Sequence, residues 1–135
     1  MIAYHIDPSR RVVTTRVSGD LSGAGLAEYL ARIVRDPKFD PTYDALIVAM
    51  DASAVPSPNT AALLAPLVRS WSTRRSGARW AFVLPHKDVR QAAELALNQV
   101  RLTTVTARCF LSEAAALAWL EATRPPGAVP RNPVV

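Results

Sequence analysis

The side chains best equipped for chemistry here are few: one cysteine, Cys109, and two histidines, His5 and His86. A thiol or hydroxyl nucleophile needs a base to take its proton, and that base needs an orienting partner. Neither histidine has a companion at a recognisable spacing, and no Gly-x-Ser-x-Gly elbow occurs. Cys109 falls inside a strand-like run, Thr103 to Phe110, and reads as a buried, inert thiol. Two histidines and one cysteine give no zinc spacing, while Asp36, Asp40 and Asp44 sit among prolines as turn formers. The glycines from Ser18 to Gly25 precede a helix but lack both the Walker lysine and the dinucleotide spacing. No catalytic residue, metal or cofactor is assigned, and an enzyme is not expected.

Two places remain where a ligand or partner could be met. His86 follows Leu84-Pro85 at the C-terminal end of an apolar strand, the edge at which open α/β sheets bind ligands. It is a candidate to touch a ligand or donate a proton, and equally a solvated loop residue. The second place is Met50-Asp51-Ala52-Ser53-Ala54-Val55-Pro56-Ser57-Pro58-Asn59-Thr60, which leaves a wholly apolar strand and enters a helix. Ser57 is a natural cap with Pro58 as the first helical residue; alternatively Asn59 caps one step later. Asp51, Ser53, Ser57, Asn59 and Thr60 thereby gather polar groups beside a helix N-terminus, where a phosphate would be tolerated and would act on a docked partner.

The elements that hold these places follow from hydrophobic period. Ile2 to Ile6 and Arg11 to Val17 are strand-like and joined through Asp7-Pro8-Ser9, which makes an antiparallel hairpin. A helix begins near Ser22 with Leu26, Leu30, Ile33 and Val34 on one face, and Asp36-Pro37 stops it. Ala45 to Met50 contains no polar residue, as expected of a strand covered on both faces. The next helix carries Leu63, Leu64, Leu67, Val68 and Trp71, with a kink or a late start expected at Pro66. Trp80 to Leu84 is a strand. Asp88 and Gln91 open a helix with Val89, Ala93, Ala96, Leu97 and Val100 inward, and Thr103 to Phe110 is the last strand. Ser112 caps a final helix containing Leu117 and Leu120.

The order β-β-α-β-α-β-α-β-α implies an α/β fold with a mixed, mostly parallel sheet and an N-terminal hairpin. At 135 residues, half of them hydrophobic, one domain over 1–123 is expected, followed by an extended proline-rich tail over 124–135. No apolar run reaches the ~20 residues of a membrane span and no signal peptide is evident, so a cytoplasmic protein is expected. The net charge of +5 comes almost wholly from arginines spread along the chain, Lys38 and Lys87 being the only lysines. Arg74-Arg75, with Arg69 and Arg79 near, is the one local group, read as solvated surface; nucleic-acid binding is not favoured. Trp71, Trp80 and Trp119 leave a homodimer surface open, although interior packing is the commoner fate of such rings.

Several segments resemble the SpoIIAA-like members of the STAS superfamily, the anti-sigma-factor antagonists and their mostly uncharacterised bacterial relatives. They are Arg11-Val12-Val13 leading to Val17-Ser18-Gly19, Asp36-Pro37-Lys38-Phe39, and Ala107 to Ala114 running into Ala118-Trp119-Leu120. Asp51-Ala52-Ser53-Ala54-Val55 is similar to the antagonists' Asp-x-Ser-x-Val, and Asn59-Thr60 stands where their Asp-Ser pair would. The chain departs from that pattern at Asn59, at Ala62 in place of a glycine, and at Pro56 and Pro58. The resemblance implies a SpoIIAA-like fold and a non-enzymatic regulatory module that binds a partner protein, of kinase or sigma-regulator type, around residues 51–64. SpoIIAA-like sequences are often grouped with lipid-transfer relatives, so the resemblance also implies the alternative, a domain binding a small apolar ligand or lipid.

Overall fold

A computed structural model describes residues 1–19, 22–55, 58–75, 77–84, 87–100, 102 and 104–122. The expected tail and the sites at Ser57 and His86 lie outside the described residues. Strand β1 (Ile2–Asp7) pairs antiparallel with β2 (Val12–Val17), and β3 (Asp44–Ala49), β4 (Arg79–Val83) and β5 (Thr106–Phe110) follow in parallel, in the sheet order β1-β2-β3-β4-β5. The hairpin closes on Asp7, whose Oδ1 accepts from the Ser9 amide at 3.0 Å, the Ser9 hydroxyl at 2.6 Å and the Arg10 amide at 3.2 Å. Arg11 then turns through φ 58°, a left-handed conformation that reverses the chain into β2.

Because each parallel strand is placed next to its predecessor, equal-handed crossovers carry every connecting helix to the same face. Helices α1 (Gly23–Arg35), α2 (Pro58–Arg74) and α3 (Lys87–Val100) cover that face, and α4 (Glu113–Ala122) covers the other. Strand alternation sorts the core between them. Val13, Ala45 and Trp80 pack with Leu30, Ile33 and Trp71, whereas Val12, Leu46, Val48, Ala81 and Val83 pack with Ala116 and Leu120. This explains why β3 lacks polar side chains after Asp44.

Capping follows the sequence at two helices. Ser22 accepts the Gly25 amide at 3.0 Å, and Ser112 accepts the Ala115 amide at 3.1 Å. At α2 the first helical residue is Pro58, which needs no amide partner there, and Asn59 lies inside the helix rather than capping it. At α3 the helix already begins at Lys87, so Asp88 is a second-position residue and not the cap. Helix α2 passes through Pro66 without a late start. Pro66 and Ala62, whose carbonyl loses its amide donor, are both exposed.

Three apolar residues expected on inner faces lie outside. Val34 is 49 % exposed, Leu63 82 % and Met50 54 %. Leu63 and Leu64 are 100° apart on the helix, and the stripe through Leu64, Val68 and Trp71 turns Leu64 inward and Leu63 out. Met50 follows the last ladder residue of β3 and no longer alternates with it. The last strand starts at Thr106, three residues later than expected, after Thr104 has bonded to α2: its hydroxyl donates to the Ser72 carbonyl at 2.9 Å.

Candidate functional site

Between the sheet and the layer of α1, α2 and α3 runs a cavity of about 200 Å³. Its floor is the odd-numbered face of β3, Ala45, Ile47 and Ala49, so it follows that strand over roughly 13 Å. Its walls are Leu26, Tyr29 and Leu30 from α1, Ala61, Leu64, Val68 and Trp71 from α2, and Ala93 and Leu97 from α3. Ala54 and Val55 bound it beyond the C-terminal end of β3, and Trp80 and Phe82 come from β4. Small side chains create the room. Alanine stands at five lining positions, Ala45, Ala49, Ala54, Ala61 and Ala93, where a leucine or valine would close the gap between sheet and helices.

The cost of such a void is large. At about 24 cal/mol per Å³ an empty 200 Å³ costs about 5 kcal/mol, as much as the net stability of many small domains. It exceeds the ~150 Å³ of an engineered cavity that admits benzene and is smaller than the ~300–1,000 Å³ of drug-sized sites. An apolar body of one ring or one short chain fits those limits.

Three polar side chains join the walls. The Thr15 and Tyr29 hydroxyls bond to each other at 2.6 Å, and burial raises the Tyr29 phenol above its ordinary value. That pair is satisfied internally. Arg75 is different. It follows the last residue of α2, is only 2 % exposed, and lies among Phe39, Trp71 and Trp80, its guanidinium carbon 5.2, 5.9 and 6.0 Å from their ring centres. Nε donates to the Pro41 carbonyl at 3.1 Å, and Nη2 donates to the Tyr43 carbonyl. Desolvation lowers its pKa to about 10, so it stays charged at neutral pH. Reading Arg74-Arg75 as a solvated pair is therefore corrected for Arg75. The run Leu64, Val68, Trp71, Arg75, in steps of four, three and four residues, already placed it on the buried stripe of α2.

The segment nominated by the sequence borders the same cavity. Asp51 is exposed and ties two loops together: its carboxylate accepts the Gly19 amide at 3.3 and 3.2 Å and the Ser53 hydroxyl at 2.6 Å. Gly19 makes that approach with φ 73°, a conformation open to glycine. The Ser53 hydroxyl, and after it the Gly19 amide, hold the Asp51 carboxyl below its usual value. Asn59 is exposed and Thr60 half-buried on the first turn of α2, while Ala54, Val55, Ala61 and Leu64 turn into the cavity. One segment thus carries a polar outer rim and an apolar inner wall.

Compared with known proteins, the chain matches no family model, no curated protein and no solved structure. Burial pushes the Cys109 thiol up to about 11, so the sulfur holds its proton at neutral pH and is a poor nucleophile. Among the described residues no group of three His, Cys, Asp or Glu side chains could hold a metal ion, and no helix is long and apolar enough to cross a membrane. Trp71 and Trp80 are 8 % and 5 % exposed, so they serve as cavity wall and core rather than as an outer surface. Trp119 packs on Phe110 at 5.4 Å on the opposite face.

Proposed function

We propose that the chain is a non-enzymatic SpoIIAA-like module that holds a small apolar ligand between its sheet and the α1–α3 layer. The observation that carries this reading is the 200 Å³ cavity, whose floor and walls are apolar along the length of β3. Five alanines keep open a volume that larger side chains would fill, at a cost comparable to the net stability of many small domains. Filling that volume with a ligand returns the lost contacts. Titration calorimetry with 1-octanol tests the reading. Wild type is expected to bind, and Ala61→Leu, which pushes a larger side chain into the space, is expected to bind at least about tenfold more weakly while folding as well. Absence of binding by wild type, or equal binding by both, would contradict it.

A second reading, a partner-protein surface over residues 51–64, is favoured by Leu63. This leucine is 82 % exposed on α2, one turn after the exposed Asn59. The resemblance to anti-sigma antagonists points to a kinase or sigma-regulator as that partner. Because the same segment walls the cavity, ligand occupancy would be transmitted to this rim. Co-purification with such a regulator, lost in Leu63→Glu and Thr60→Glu, supports the surface; retention in both variants argues against it.

A further inference from the structure

The cavity is not apolar throughout. Arg75 brings a full positive charge to a wall that is 2 % exposed, and among the described residues no carboxylate oxygen lies within 4.0 Å of it. Two backbone carbonyls take Nε and Nη2, and neither bond uses Nη1. Tyr29, Asp44 and Asp40 act on the guanidinium at longer range. Buried charges in proteins are ordinarily paired. A second donor stands close by. Trp80, 5 % exposed, lines the same cavity, and its indole Nε1 has no hydrogen-bond partner among the described residues. An indole N–H can only donate, so Trp80 needs an acceptor, and the Arg75 guanidinium lines the same cavity.

We infer that the cavity takes a small monocarboxylate with an apolar body, its carboxylate lodged at Arg75 and Trp80 and its body lying along Ala45, Ile47 and Ala49. This rests on the apolar-ligand reading above and specifies its headgroup. A carboxylate carries two acceptor oxygens for the two donors, and one negative charge balances one guanidinium. A dianion would leave excess charge against apolar walls, and a neutral alcohol would bring no charge to Arg75. The limited volume restricts the body to an aromatic ring or a short alkyl chain.

The test compares octanoate with 1-octanol on the full chain at neutral pH, by calorimetry and by the fluorescence of Trp71 and Trp80. Wild type is expected to bind octanoate at least about tenfold more tightly than octanol. Arg75→Met keeps an apolar side chain of similar length and is expected to bring the two affinities within about twofold of each other. Trp80→Phe is expected to weaken octanoate a few-fold and octanol hardly at all. Equal affinities in wild type would overturn the carboxylate and leave the apolar site standing. Failure of both probes would remove the apolar site too. A preference for octanoate that survives in Arg75→Met would also overturn the inference, and the wild-type comparison decides the matter even if that variant does not fold.

Discussion

The guanidinium carbon of Arg75 lies 6.0 Å from the centre of the Trp80 ring, and both side chains are walls of one cavity. One comes from the end of α2 and the other from β4, so the helix layer and the sheet meet at a charge instead of a methyl group. That contact fixes the inner end of a space which alanines hold open along β3.

Ligand binding should therefore be readable as stability. A ligand at about 100 times its dissociation constant adds about 2.7 kcal/mol to the folded state. For a chain of this length that is roughly 6–10 °C in thermal midpoint. Differential scanning fluorimetry with and without 1-octanol checks it; a midpoint indifferent to the probe would go against a folded-state site.

The two faces of the sheet differ in how mutations are felt. Leu120 is 2 % exposed and packs α4 on Leu46, Val48 and Ala81, so Leu120→Ala is expected to cost about 2–5 kcal/mol in urea unfolding. Leu63→Ala, at an exposed helix position, is expected to stay within about 0.5 kcal/mol of wild type. Similar costs for the two would mean that the α2 stripe is misplaced.

Much of this was legible in the sequence. The order of elements followed from β-branched and apolar runs alternating with helical stripes, and the Ser22 and Ser112 caps followed from residue type. The exposed Leu63 and Val34 were not legible, since adjacent apolar residues on a helix compete for one face and only packing decides between them. The cavity was not legible either. Its alanines are scattered from position 45 to position 93, and alanine suits any element, so nothing local marks an absent side chain. Arg75 looked solvated beside Arg74, yet its spacing from Trp71 was the available signal. Pairing at the sheet's lower edge depends on long-range geometry that no local pattern carries.

Asp44 illustrates such pairing. It is fully buried, and its Oδ1 accepts the Arg79 amide at 2.9 Å, joining the starts of β3 and β4. Asp44→Ala is expected to destabilise by about 1–3 kcal/mol, because it strands a backbone donor. Guanidinium unfolding of the variant measures it, and an unchanged midpoint would contradict the role.

Acid should weaken the link between β2 and α4. Arg16 donates to Glu113 through two bonds, at 3.1 and 3.0 Å, and those bonds hold the Glu113 carboxyl below its ordinary value of 4.5. A lowered folded-state pKa contributes stability above the unfolded value, and that stability is lost as pH falls through the folded one. Both side chains are nearly half exposed, so the pair is worth at most about 1 kcal/mol. Arg16→Gln should lower the thermal midpoint slightly at neutral pH and by nothing once the pH is well below 4.5. A difference that persists in strong acid would assign the effect to packing.

The most direct test of the central claim is a map of where an apolar probe binds. In ¹⁵N-labelled protein titrated with 1-octanol, the largest amide shifts are expected at Ala45, Ile47, Ala49, Ala61 and Trp80, with the α4 face around Leu120 unmoved. Shifts confined to the outer surface near Leu63, or none at all, would contradict a ligand held between the sheet and its three helices.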